Sequence, residues 1–152
     1  MIETEVLFDN RSGKDVSEET YNKIQLAINK TLEYENFKKP SQVSVSLVNS
    51  EEIKTLNNYY RNIDKTTDVL SFPMDDDEFE DEVIILGDVV LCLDKAKEQA
   101  IEFGHSLDRE ICYLTVHSTL HLLGFDHMEE EEKKEMREHE EKVMDILDLP
   151  RE

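Results

Sequence analysis

Three of the chain's five histidines fall inside one stretch of eleven residues, His117-Ser118-Thr119-Leu120-His121-Leu122-Leu123-Gly124-Phe125-Asp126-His127. On a helix, positions i and i+4 share one face about one turn apart, roughly 6 Å. His117 and His121 can therefore aim two imidazoles at a single point. Gly124 can take the left-handed conformation that ends a helix and reverses the chain. That turn would carry His127 back toward the same point. The spacing predicts a helix ending in the motif and a site where three histidines meet.

Neutral imidazole is a good zinc ligand, and a zinc site with three protein ligands keeps a fourth position for water, whose pKa there can fall to about 7. A lone histidine on a helix is more often packed or solvent-exposed than metal-bound. Three in a His-x3-His-x2-Gly-x2-His pattern are a much rarer coincidence. The same spacing occurs in a large group of zinc peptidases, which carry Glu directly after the first histidine as general base. Ser118 holds that place here, so peptide hydrolysis by that route lacks its proton acceptor. The metal site survives the comparison and the peptidase reading does not.

At 152 residues one domain spanning 1–152 is expected. The charged fraction of 36% exceeds the ~25% of an ordinary domain. The excess is acidic, 37 Asp and Glu against 17 Lys and Arg, for a formal charge of -20. Such a field repels polyanions at long range and argues against a broad nucleic-acid groove or an anionic membrane partner. The acidic start, Met1-Ile2-Glu3-Thr4-Glu5, lacks the basic and apolar regions of a signal peptide. Cys92 and Cys112 stand apart, which fits buried free thiols. A cytoplasmic, reducing setting is expected.

Taken in order, residues 2–8 alternate as an opening strand, with Arg11-Ser12-Gly13 as its turn. Ser17 caps a helix running to about residue 37, with Tyr21, Ile24, Ile28 and Leu32 as its apolar stripe. Val43, Val45 and Leu47 alternate with serines as a half-buried strand. Ser50 caps a short helix with Ile53, Leu56 and Tyr60 facing inward. A polar loop over residues 61–68 leads to a brief strand, Val69-Leu70-Ser71-Phe72, stopped by Pro73. Seven of the eight residues 75–82 are acidic and read as a solvated loop. Residues 83–93 read as one principal strand from Gly87 onward. Asp94 caps a helix to about residue 103, closed by Gly104. Ser106 caps the motif helix, with Ile111, Leu114 and Leu120 in the core. A final helix from Met128 packs through Met136, Val143, Met144 and Leu147. The order β-α-β-α-β-β-α-α-α predicts an α+β fold: one small mixed β-sheet covered by a layer of helices, with a central motif-bearing helix in a zinc-hydrolase-like arrangement.

The motif resembles the His-Gly-x-Leu-His-Leu-x-Gly-Tyr-Asp-His signature of the YbeY family, bacterial metal-dependent endoribonucleases of ribosomal RNA processing. Ser118 stands in place of Gly and Phe125 in place of Tyr, and neither change removes a ligand. A second stretch, Tyr60-Arg61-Asn62-Ile63-Asp64-Lys65-Thr66-Thr67-Asp68-Val69-Leu70-Ser71-Phe72-Pro73, also matches, with Thr66 where the family commonly has Pro. Leu86-Gly87-Asp88-Val89 resembles a third family segment. The resemblance is nearly full-length. It implies one Zn2+ ion on His117, His121 and His127, completed by water or substrate, with Arg61 as a functional residue near it. It also implies single-strand endoribonuclease activity in 3′-end maturation of small-subunit ribosomal RNA and in ribosome quality control. The partners implied are ribosomal RNA and the small ribosomal subunit, with neither DNA nor a membrane.

Arg61 could bind a phosphate with its planar fork and stabilise charge developing there; without the resemblance it would read as an exposed loop arginine. Asp126 could orient a ligand histidine, serve in proton transfer, or cap the final helix with Glu129 three residues on. His105 and His139 read as non-catalytic. Lys65, Lys38 and Lys39 could add local positive charge beside Arg61. With a charge of -20 overall, weak binding to free RNA is expected, since nonspecific affinity comes from Lys and Arg contacts to phosphate. Two other readings stay open: a zinc hydrolase of another substrate, a small phosphoester or peptide, and a noncatalytic ribosome-assembly factor in which zinc holds the last two helices together.

Overall fold

The structure, a computed structural model, describes residues 4–74, 83–125 and 129–148. Its elements are β1 (Thr4–Asn10), α1 (Glu18–Tyr34), β2 (Ser41–Val48), α2 (Ser50–Arg61), β3 (Val69–Pro73), β4 (Ile84–Cys92), α3 (Leu93–Phe103), α4 (Leu107–Leu122) and α5 (Glu130–Ile146). This is the order expected from the sequence. The four strands form one mixed sheet in the order β1-β2-β4-β3. β2 lies parallel to both β1 and β4, and β3 is antiparallel to β4. The α+β class and the small mixed sheet stand as expected.

The main core lies on one sheet face. Val43, Val45 and Leu47 of β2 and Val89 and Leu91 of β4 meet Ile24, Ile28 and Leu32 of α1 and Ile111, Leu114 and Leu122 of α4. The single covering layer needs correction, because α2 packs on the other face: Ile53 meets Val48, Leu70, Val90 and Cys92 there. The physical cause is visible in β4, where Val89-Val90-Leu91-Cys92 is buried without alternation. A strand buried on both faces reads as a continuous apolar run.

Several boundaries move for identifiable reasons. α1 stops at Tyr34 because Asn36 turns left-handed (φ 59°) and Phe37 N–H returns to Leu32 O at 2.9 Å, a Schellman closure. Asn49, not Ser50, caps α2, its side chain accepting from Glu52 N–H at 2.9 Å. Ser50 N–H instead donates to Asp94, which lies inside the first turn of α3 rather than capping it. Lys14 at 2.6 Å, and then the Ser50 N–H, hold the Asp94 carboxyl below its usual range. Tyr60 faces out, its ring tilted 59° to that of Phe72 with centroids 5.0 Å apart.

β4 starts at Ile84, three residues before Gly87, and bulges at Leu86, where the register passes from Ile85 opposite Gln42 to Gly87 opposite Val43. A Cβ at Gly87 (φ +142°) would stand 2.2 Å from Phe72 O, so only glycine lets β3 and β4 approach here. α5 begins at Glu130 with Glu129 at the cap position, and the expected Asp126 cap lies outside the described residues. Cys92 and Cys112 are buried free thiols, and burial pushes Cys112 up to about 11. The acidic segment 75–82 and Met128 lie outside the described residues. Among the described residues no helix is long and apolar enough to cross a membrane.

Candidate metal centre and phosphate cleft

α4 is packed around almost its whole circumference. Ile111, Leu114 and Leu122 face the sheet, while Cys112, Val116 and Leu120 face Ala27 of α1 and Met136, Val143 and Met144 of α5. From residue 111 to 122 only Tyr113, His117 and His121 escape full burial. They form an i, i+4, i+8 stripe, the one partly exposed line along this part of the helix. Ser106 starts α4 by accepting from Arg109 N–H at 3.1 Å. At the other end Gly124 takes a positive φ of 102°, and Phe125 N–H returns to Leu120 O at 3.0 Å.

The two imidazoles converge as the spacing predicts. His117 Nε2 and His121 Nε2 lie 3.2 Å apart, with ring planes at 82°. Each ring is turned by a partner on its other nitrogen. His121 Nδ1 donates to Phe125 O at 2.9 Å, and His117 Nδ1 donates to the Glu140 carboxylate of α5. A carbonyl and a carboxylate can only accept, so each Nδ1 carries the proton and each Nε2 the lone pair. Two such nitrogens repel at 3.2 Å unless a cation lies between them. Nitrogens bound to zinc at 2.0–2.1 Å in a tetrahedral site stand about 3.3 Å apart. The pair therefore fits two corners of a zinc tetrahedron. Among the described residues no group of three or more His, Cys, Asp or Glu forms a metal cage. His127, the third expected ligand, and Asp126 lie outside the described residues.

Arg61 reaches this place by a separate route. It is the last residue of α2, which Asn62 closes in the left-handed conformation (φ 58°), its N–H bonding Asn58 O at 3.0 Å. Buried Asn57 fixes the following loop by donating Nδ2 to Lys65 O at 3.0 Å. β3 then runs beside α4, where Ser71 and Ser118 hydroxyls are hydrogen-bonded. A glycine at position 118 could not make that bond. The outcome is one cleft of about 510 Å3 lined by Arg61, by residues 67–71, and by His117, His121 and Phe125. Lys65, Lys38 and Lys39 are exposed, and none of them lines it.

Three polar residues at the site escaped the sequence reading. Asn57 carried no pattern that could reveal it. Asp68 lines the cleft with its carboxylate held by Val69 N–H at 2.8 Å and Gln99 Nε2 at 3.2 Å. Glu140, only 4% exposed, also accepts from Tyr113 O–H at 3.0 Å. Its signal was available: Glu140 follows Met136 by four and precedes Val143 and Met144 on the apolar stripe of α5. The other two histidines pair with carboxylates of their own. His105 Nε2 meets buried Glu110 at 2.6 Å, and His139 pairs with Glu35 and lies 4.9 Å from the Phe125 ring.

A second cleft of about 650 Å3 has Arg109, Tyr113, Arg137 and Glu140 in its lining. Asp68 lines both. The His117–Glu140 pair thus stands in the wall between them.

Residues 7–148 match the family model described as Endoribonuclease YbeY. A protein named Endoribonuclease YbeY from Caldanaerobacter subterraneus subsp. tengcongensis is 52% identical, over 96% of this chain and 99% of its own. One of the same name from Clostridioides difficile is 47% identical, over 97% and 99%. The solution structure of TM1509 from Thermotoga maritima shares the fold, with a TM-score of 0.58 at 24% identity, covering 97% of this chain and 92% of that one.

Proposed function

The chain belongs to the endoribonuclease YbeY family, and from that premise we propose that it is a single-domain, zinc-dependent endoribonuclease of single-stranded RNA. The observation that carries the reading is the meeting of His117 Nε2 and His121 Nε2 at 3.2 Å in the cleft that Arg61 also lines. His117 and His121 would hold the ion together with His127, the third histidine of the sequence motif. A zinc ion there supplies Lewis acidity toward a phosphoryl oxygen and lowers the pKa of water.

The chain's own residues do the rest. Arg61 takes the scissile phosphate with two parallel N–H donors and neutralises charge that builds on its oxygens. Glu140 and the Phe125 carbonyl keep the two rings turned toward the cleft. Asp68, already ordered by two donors, places a second carboxylate in the cleft wall. Asp126 is assigned to orienting a ligand or moving a proton. The biological substrate on this reading is the 3′ end of small-subunit ribosomal RNA, within or beside the small subunit. The particle would supply affinity that a chain of charge -20 lacks.

Cleavage of single-stranded RNA by zinc-loaded protein is the deciding assay, run with His121→Ala and Arg61→Ala beside the wild type. Undiminished cleavage by either variant would remove that residue from the site. Faster turnover of a small phosphoester than of RNA would move the site to another substrate.

A further inference from the structure

We infer that Glu140 is a positioning residue, which fixes His117 as the Nδ1–H tautomer and so directs its Nε2 lone pair to the metal, with Tyr113 holding the carboxylate in place. The inference rests on the metal-site reading above. It concerns a residue of α5, well apart in sequence from the motif that supplies the ligands.

α5 carries seven glutamates, and among them only Glu140 is buried. The remainder are solvated or half-solvated, the ordinary state of a charged helix face. A buried carboxylate is costly unless its oxygens are satisfied. Here the two oxygens are divided: Oε1 accepts from Tyr113 O–H at 3.0 Å, and Oε2 accepts from His117 Nδ1–H. Burial first, and then the Glu140 charge, raise the Tyr113 phenol above its ordinary range, so it remains a donor. The Tyr113 and His117 rings lie near parallel, 27° apart with centroids at 6.2 Å. Phenol, carboxylate and imidazole therefore form one ordered relay that ends at Nε2 in the cleft.

A packing role alone does not require this arrangement. Met136, Val143 and Met144 already dock α5 on Val116 and Leu120 of α4. An apolar residue at position 140 would continue that contact with less desolvation. What it could not do is accept the Nδ1 proton. Without an acceptor, the ring is free to place its proton on Nε2, the nitrogen a metal needs unprotonated. Carboxylates behind ligand histidines typically change metal affinity by about 10- to 100-fold.

Zinc affinity by competition with a chelator, and the histidine tautomer by 15N NMR above the ordinary imidazole pKa, test this without RNA. Glu140→Met keeps the volume and the helix propensity. It is expected to stay folded, bind zinc about 10- to 100-fold more weakly, and shift His117 toward the Nε2–H form. Glu140→Gln restores an acceptor and is expected to recover most of the affinity. Zinc binding by folded Glu140→Met within about twofold of wild type would overturn the inference. So would finding His117 as the Nε2–H tautomer in metal-free wild type, a measurement that stands whether or not a variant folds. Wild type that binds zinc through His117 and cleaves no RNA would sink the proposed function and leave the role of Glu140 intact.

Discussion

His117 and His121 present the same nitrogen to the same cleft, yet they are held there by different means. His121 is turned by Phe125 O, four residues away in the chain, at 2.9 Å. His117 is turned by Glu140, 23 residues away and on another helix. The first anchor comes with the helix end: once Gly124 reverses the chain, the Phe125 carbonyl has little choice of position. The second exists only when α5 has docked on α4. One half of the proposed metal site is thus a local property of the motif, and the other is a tertiary property of the fold. The two halves should fail in different ways.

Removing a ring outright does not distinguish the halves and sets the scale. His121→Ala is expected to abolish stoichiometric zinc binding and lower RNA cleavage by several kcal/mol of barrier, roughly a thousandfold. Zinc content by elemental analysis and single-turnover cleavage check this; retained zinc at full occupancy would exclude His121 as a ligand. Next, Arg61→Ala should cost about 10²- to 10³-fold in cleavage while leaving zinc affinity unchanged, if Arg61 meets the phosphate and not the ion as proposed. Arg61→Lys should recover only part of that loss, since an ammonium cannot form the planar two-point contact. A loss of zinc in Arg61→Ala would mean that α2 supports the metal rather than the substrate.

The remote anchor then breaks with Glu140→Met, as above, through metal affinity at unchanged stability. The local anchor breaks with Gly124→Ala, which forces a Cβ into φ +102° and costs about 1–3 kcal/mol of strain. Among the described residues, its chain neighbours aside, no atom lies within 4 Å of that Cβ, so the effect there is conformational rather than steric. Chemical denaturation should show the loss, with zinc affinity reduced only a few-fold. A Gly124→Ala protein as stable as wild type would show that the turn carries no strain penalty.

Chelation has the smallest expected effect on structure. Stripping the ion should lower the melting temperature by the binding linkage alone and leave helical circular dichroism in place, because α5 is docked through its own apolar cluster. Unfolding on chelation would favour the reading in which zinc mainly joins the last two helices.

Much of the molecule could be read from residue pattern. The nine elements occur in the expected order because each carries its own local signal: Ser17 and Ser106 as caps, the Val43-Val45-Leu47 alternation, the Ile24-Ile28-Leu32 stripe. The misreadings cluster where two local candidates competed. Asn49 and Ser50 are both good caps, and which one serves was decided by Asp94, 44 residues on, taking the Ser50 N–H. Asp94 looked like a cap for α3 and was drawn instead to Lys14 and α2. Tyr60 fits an inward stripe by spacing, yet it lies outside against Phe72.

By itself, the sequence determined the convergence of two imidazoles and the helix end beside them, since both follow from the pitch of one helix and the freedom of one glycine. Only the tertiary structure decided that Arg61 shares their cleft, that Ser118 clasps Ser71, and that Glu140 stands behind His117. Those contacts join residues tens of positions apart. Their partners are set by how α2, β3 and α5 pack against α4, and no periodicity within any one segment encodes that choice.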